Sequence, residues 1–265
     1  MDVDAYLARI AYTGPRDPSA ETLAALHRAH MLSVPFENLD LHIGRSNVIA
    51  AGRNYRKIVR ERRGGWCFEL NGTFARLLER LGFTVTRYSA AVVLSEPGTP
   101  DFAHLTLRVD LDRPWLADVG FGDSFTAPLL LDETGPQVRE RGRVYRLEPV
   151  EGSRVLLTQD GRPQYRFERA ARAMTQFEGM CRVLQTPPGH FTDAPICSMA
   201  TADGRISLAG MRLITTSGDD RHERDLADDG ERREVLRDLF GVDLGKARFT
   251  DTGSRAGASA GSTCP

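Results

Sequence analysis

Between Cys67 and Gly82 the apolar residues recur every three to four positions, and from Val85 onward they alternate with polar ones, so no single regular element can hold both segments. Leu70, Phe74, Leu77, Leu78 and Leu81 fall at i, i+4, i+7, i+8 and i+11, one stripe along an α-helix that ends at Gly82. Downstream, Leu105, Leu107, Val109 and Leu111 point one way from an extended strand, while His104, Thr106, Arg108 and Asp110 point the other. A second strand, Trp115 to Val119, follows the turn Asp112-Arg113-Pro114 and forms a hairpin with the first. Further strands are expected over Tyr145–Pro149, Arg154–Thr158 and Gln164–Glu168, so helices give way to an antiparallel sheet or small barrel and the fold is α+β.

The first eighty or so residues read as helical. Asp17-Pro18 supplies a cap and a proline at the first helical position before Leu23, Leu26 and His30, and a second helix is expected over Tyr55–Arg62. Pro35 marks Val34–Asn38 as a loop. Toward the end, Ile196–Ala200 and Ile206–Leu208 flank the hairpin signal Asp203-Gly204, Met211–Thr215 is another strand, and a final helix over Glu231–Phe240 buries Val235, Leu236, Leu239 and Phe240. Beyond Phe249 the sequence has too little apolar content to pack and is expected to be disordered.

A net charge of −1 over 265 residues leaves no field that would collect a polyanion, so a nucleic-acid partner is not expected. The run Arg60-Glu61-Arg62-Arg63 reads as a solvated helix face. The N-terminus lacks the pattern of a secretory signal and the longest apolar run, Ala90 to Leu94, is far too short to cross a bilayer, which makes a cytoplasmic location the expectation. Four widely spaced cysteines without a C-x-x-C pair suggest reduced thiols, not a disulfide framework or zinc site. Cys181, Cys197 and Cys264 read as small buried hydrophobes. His27, His30 and His42 read as satisfied polar residues, and Glu69 as a structural ion-pair partner. Gly120-Phe121-Gly122 is a turn, since neither a third glycine nor a helix pattern follows.

Cys67 is different. It stands at the first turn of the strongest helix, where unpaired backbone N–H groups and the helix dipole favour an anion, and only a thiolate attacks a carbonyl well. Gly64 and Gly65 bring the backbone into that helix without side chains that would block an approaching substrate. His104 is a base of suitable type and Asp118 a carboxylate able to orient it. Cys, His and Asp in that order are the inventory of acyl transfer through a covalent thioester.

These residues, with the blocks around them, resemble the arylamine N-acetyltransferase family. The matching blocks are Val34–Asp40, Arg62–Gly72, His104–Leu107, Trp115–Gly122 and Cys197–Arg205, spread over nearly the whole chain in the family's order. The resemblance implies an N-terminal helical bundle over 1–84 carrying Cys67, a central antiparallel β-barrel over 85–190 carrying His104 and Asp118, an α/β lid over 191–250, and a tail over 251–265. It implies a papain- or transglutaminase-like Cys67-His104-Asp118 core in which acetyl-CoA, a substrate and not a tightly bound cofactor, acylates the cysteine. An arylamine, hydrazine or N-hydroxyarylamine then takes the acetyl group, and no metal is involved. By the same resemblance Phe36, Ala103, Phe121 and Phe125 are candidates for the acceptor site, and Thr215, Thr216 and Gly218 for contacts with CoA. The approach to the histidine, Asp101-Phe102-Ala103, departs from the proline and hydroxyl residue that many relatives carry there. The same scaffold also serves as an amide synthase that releases a polyketide chain from an acyl carrier protein as a macrolactam, and the triad alone does not separate the two activities.

Overall fold

The computed structural model describes residues 1–94 and 98–250. The tail 251–265, with Cys264, lies outside the described residues. Helices α1 (Val3–Arg9), α2 (Ala20–Ser33), α3 (Leu39–His42), α4 (Ala51–Tyr55) and α5 (Cys67–Arg80) occupy the first part, and a π-helical turn, Arg56–Arg60, continues α4. The strands are β1 (Phe36–Glu37), β2 (Thr84–Val92), β3 (His104–Asp110), β4 (Pro114–Ala117), β5 (Leu129–Leu130), β6 (Gln137–Val138), β7 (Val144–Pro149), β8 (Arg154–Gln159) and β9 (Arg162–Glu168). After α6 (Glu178–Val183) and α7 (His190–Asp193) come β10 (Ile196–Ala200), β11 (Gly204–Ala209), β12 (Arg212–Ser217), β13 (Asp220–Asp225) and α8 (Asp229–Phe240).

Strands β2 to β9 form one antiparallel eight-stranded sheet in the order β5-β4-β3-β2-β9-β8-β7-β6, curled into a nearly closed barrel. A side chain bridges the two end strands where backbone pairing stops: Gln137 of β6 donates from Nε2 to the Leu130 carbonyl of β5 and accepts the Leu130 N–H, both at 2.8 Å. Tyr88, Leu116, Phe125, Tyr145, Leu157, Tyr165 and Phe167 fill the barrel. The alternation along β3 sorts its faces as expected. Leu105, Leu107 and Val109 join the core shared with Phe74, Leu77 and Leu78 of α5, while Thr106 on the opposite face contacts Tyr165.

A second sheet, β1-β10-β11-β12-β13, carries α8 on the face where Cys197, Leu208, Leu213, Val235, Leu236 and Phe240 meet. Its first strand is a correction to the sequence reading. Phe36 and Glu37, expected in a loop, pair antiparallel with Ser198 and Cys197, some 160 positions away in the chain. Helix α2 starts two residues later than Pro18 suggested, because Ser19 is the residue whose side chain accepts the Thr22 N–H, at 3.2 Å. The helix expected over Tyr55–Arg62 runs instead from Ala51 through the π turn to Arg60, and Arg62 takes a positive φ of 52°. Leu239, assigned to the buried side of α8, is 41% exposed.

Beneath the start of α5 lies a buried cluster of five charges. Lys57 reaches Asp40 and Glu69 at 3.0 Å, and Arg63 reaches Glu37 at 2.8 Å and Asp40 at 3.1 Å. Arg63 is therefore not part of a solvated face, although its neighbours Arg60 to Arg62 are exposed. Burial opposes the charge on Lys57, but Glu37, Glu69 and Asp40 outweigh it and hold the ammonium above its usual pKa. Glu69 is the structural ion-pair partner expected of it, and it also accepts the Trp66 N–H at 3.3 Å, capping α5 just ahead of Cys67. Gly64 and Gly65 serve this packing. A Cβ on Gly64 would lie 1.9 Å from the Pro35 carbonyl, and one on Gly65 would lie 2.6 Å from a Glu69 oxygen, so both glycines admit neighbouring chain and not substrate.

No helix among the described residues is long and apolar enough to cross a membrane. Replacing Lys57 with Met leaves three buried carboxylates facing one guanidinium, and the expected loss at neutral pH is roughly 3–5 kcal/mol, measured by urea denaturation. A change below about 1 kcal/mol, typical of an exposed pair, would contradict the account.

Candidate active site

Cys67 is the first residue of α5, His104 opens β3, and Asp118 follows the last residue of β4. Antiparallel pairing of β3 with β4 sets Leu107 opposite Ala117, so Asp118 emerges near the start of β3. His104 Nε2 lies 2.6 Å from Asp118 Oδ2. That bond occupies Nε2 and leaves Nδ1 free of Asp118, and Cys67 is near enough to act on the charge of the ring. The thiol also lies 3.8 Å from the Ala103 carbonyl. All three residues are buried, at 3%, 2% and 0% exposure.

Burial alone would lower the pKa of His104, but the charge and hydrogen bond of Asp118, with the Cys67 side chain, push it up to about 10. Asp118 shows the complementary effect. Burial acts to raise it, and the His104 charge, the His104 and Asn71 hydrogen bonds and the Gly120 N–H hold it below the ordinary carboxylate value. The signs follow by linkage. The raised His104 stabilises the fold fully below its ordinary value of about 6.5 and loses that contribution as pH rises through about 10. The lowered Asp118 contributes above its ordinary value and loses its contribution as acid brings pH down through its lower folded one.

Asn71 stands four residues after Cys67, on the same face of α5. It is fully buried and makes three bonds into the hairpin: Nδ2 donates to the Leu105 carbonyl at 2.6 Å and to Asp118 Oδ1 at 2.8 Å, and Oδ1 accepts the Val119 N–H at 2.8 Å. Gly120 closes the contact from the other side. A Cβ there would lie 2.8 Å from the Cys67 Cα and 2.8 Å from Asn71 Nδ2. Three rings surround one another at the base: His104 to Phe121 at 5.2 Å, His104 to Tyr165 at 5.0 Å, and Phe121 to Tyr165 at 4.9 Å.

The other candidates fall in different places. Ala103 and Phe121 adjoin the triad directly. Phe36 sits on β1 with its ring 6.2 Å from Phe191. Phe125 is fully buried inside the barrel and stacks on His27 at 5.6 Å. Thr215 and Thr216 lie on β12 and Gly218 in the turn after it, where Thr216 donates to the Arg205 carbonyl at 3.4 Å. Asn71 and Tyr165 escaped the sequence reading as site residues. For Asn71 the signal was present, an amide one helical turn beyond the cysteine. Tyr165 has none, because it comes near His104 only through the order of the sheet, in which β2 pairs with both β3 and β9. Among the described residues no group of three His, Cys, Asp or Glu side chains is placed to hold a metal ion.

A sequence profile for N-acetyltransferases matches residues 19–249. The arylamine N-acetyltransferase of Mycolicibacterium smegmatis is 35% identical over 269 residues, covering 96% of this chain and 97% of its own. That of Escherichia coli is 34% identical over 256 residues, covering 92% and 91%. Among solved structures, the Mycobacterium marinum arylamine N-acetyltransferase in complex with CoA superimposes with a TM-score of 0.85 at 31% identity, over 91% of this chain and 93% of that one. These relatives are acetyltransferases by name and lend no support to the amide-synthase alternative or to a carrier-protein partner.

Substituting Gly120 with Ala forces α5 and the loop after β4 apart, and the rate at which iodoacetamide alkylates Cys67 is expected to fall about tenfold or more while the circular dichroism spectrum is kept. An unchanged alkylation rate would show that this close approach does not hold the thiol in place.

Proposed function

The chain belongs to the arylamine N-acetyltransferase family, and from that membership we propose that it moves an acetyl group from acetyl-CoA, through a thioester on Cys67, to the nitrogen of an arylamine, hydrazine or N-hydroxyarylamine. The observation that supports this most is the 2.6 Å bond between His104 and Asp118 in a buried site that also holds Cys67, whose sulfur lies 3.8 Å from the carbonyl of Ala103, the residue before His104. In this reading Cys67 is the nucleophile, His104 carries its proton, and Asp118 orients the ring and stabilises its positive charge.

The thiolate attacks the carbonyl carbon of acetyl-CoA, and the tetrahedral oxyanion is held by the backbone N–H of Cys67 and a neighbour at the start of α5. As the intermediate collapses, the carbon–sulfur bond to CoA breaks and the departing sulfur takes the proton from His104. The acceptor amine then attacks the Cys67 thioester and gives a proton to the neutral ring, and release of the N-acetylated product restores the thiolate beside an imidazolium. The apolar sides of Phe36, Ala103, Phe121 and Phe125 are the wall assigned to the acceptor, and Thr215, Thr216 and Gly218 the contacts assigned to CoA. A cytoplasmic location belongs with this reading, and the free thiols of Cys67, Cys181 and Cys197 suit a reducing compartment.

Mixing the protein with acetyl-CoA and mapping peptides by mass spectrometry is expected to place one acetyl group on Cys67, to show its discharge when an arylamine is added, and to show none in Cys67→Ala. Absence of acetylation in the native protein would refute the proposal. Because His104 is pushed up to about 10, the positive charge opposite Cys67 does not titrate near neutrality.

A further inference from the structure

We infer that His27 is a positioning residue of this site: from α2 it clasps both ends of the loop that runs from Asp118 to Thr126, and so fixes the backbone of the aspartate that orients His104. The inference rests on the reading of Cys67, His104 and Asp118 as the catalytic residues. His27 Nε2 accepts the Asp118 N–H at 3.1 Å, and Nδ1 lies 2.9 Å from the Thr126 carbonyl. The two partners decide the tautomer. A backbone N–H can only donate and a carbonyl can only accept, so the ring is neutral with its proton on Nδ1. Burial, the largest influence, holds His27 below its ordinary pKa against the opposing pull of the Thr126 carbonyl, Asp118 and Glu140, in keeping with that neutral form.

Packing fixes the ring as firmly as hydrogen bonding does. His27 has no exposed surface, lies nearly parallel to Phe125 at 5.6 Å and 18°, and meets Phe74 of α5 edge-on at 6.0 Å and 85°. Phe125 belongs to the clasped loop itself. An apolar side chain in this place would fill the space but leave the Asp118 N–H and the Thr126 carbonyl buried without partners. The bond to Asp118 is made to its backbone, not its carboxylate, so His27 acts on where the carboxylate stands and takes no part in proton transfer.

The test uses His27→Gln and His27→Asn in the full chain, with native protein in parallel. A glutamine carbonyl reaches as far as Nε2 and can accept the Asp118 N–H, whereas an asparagine amide ends where Nδ1 stands and can serve Thr126 alone. His27→Asn is expected to lower the rate of Cys67 acetylation and kcat by about ten- to a hundredfold with KM for acetyl-CoA little changed, and His27→Gln to recover most of the loss. Equal rates in both variants, whether native or reduced, would overturn the inference, since a purely packing role does not distinguish the two amides. Nitrogen-15 NMR of histidine-labelled native protein near neutral pH provides the same decision without any variant. A neutral ring protonated on Nδ1 supports the clasp, and an imidazolium or an Nε2-protonated ring overturns it. Native protein that fails to acetylate Cys67 would refute the proposed function, whereas an acetylating native protein beside an indifferent His27→Asn would refute this inference alone.

Discussion

The side-chain amide of Asn71 spans the gap between the helix that carries the thiol and the hairpin that carries the other two residues of the site, and the remaining geometry depends on that span. Its donor is shared between the Leu105 carbonyl and the Asp118 carboxylate, and its oxygen takes the Val119 N–H. Leu105 is the neighbour of His104, and Val119 the neighbour of Asp118. One buried residue therefore sets the distance from α5 to β3, from α5 to the end of β4, and, since Cys67 is one turn away on the same helix, from the sulfur to the imidazole. A neutral amide suits the place because it offers both donors and an acceptor without adding charge to a site that already holds an ion pair.

The helix start needs its own support, and the charge cluster under it supplies that. Lys57, Arg63, Glu37, Asp40 and Glu69 come from the π turn, the Arg-Arg-Gly-Gly loop, β1, α3 and α5, so their contacts fasten five stretches of chain around the first turn of α5. Removing such charges from water is unfavourable unless each is paired, and here each carboxylate has a cation within 3.0 Å. Burial that would otherwise disfavour the cluster makes its geometry exacting, and the same strand and helix positions lead directly into Trp66 and Cys67. The aspartate is held from behind as well, by the Gly120 N–H at 3.0 Å on its carboxylate and by a ring of α2 on its backbone.

Much of this was legible because it is local. The stripe from Leu70 to Leu78 is a property of nine consecutive residues, and it lies inside the fourteen of α5, Cys67–Arg80. The period of two along Leu105, Leu107 and Val109 put His104 on the face away from α5's core, which is where it stands. What the sequence concealed depends on partners distant in the chain. Phe36 and Glu37 become a strand only because Cys197 and Ser198 arrive beside them. Strand β13, Asp-Arg-His-Glu-Arg-Asp, has no apolar period at all, since it is the exposed edge of its sheet and draws its order from pairing with β12. Arg63 looked solvated in a basic run because its carboxylates come from Glu37 and Asp40, more than twenty positions earlier. Leu239 missed the core by rotation: it lies on the solvent side of α8 between Leu236 and Phe240, which do pack.

The proposed thiol chemistry and the stability of the hairpin both call on a charged imidazole, which Asp118 holds at 2.6 Å from Nε2. Following the His104 ring by nitrogen-15 NMR through a pH titration measures that charge directly. The account predicts that both ring nitrogens stay protonated through neutrality, with loss of the proton only as pH nears about 10. A ring that loses its proton near the ordinary histidine value of about 6.5 would contradict it.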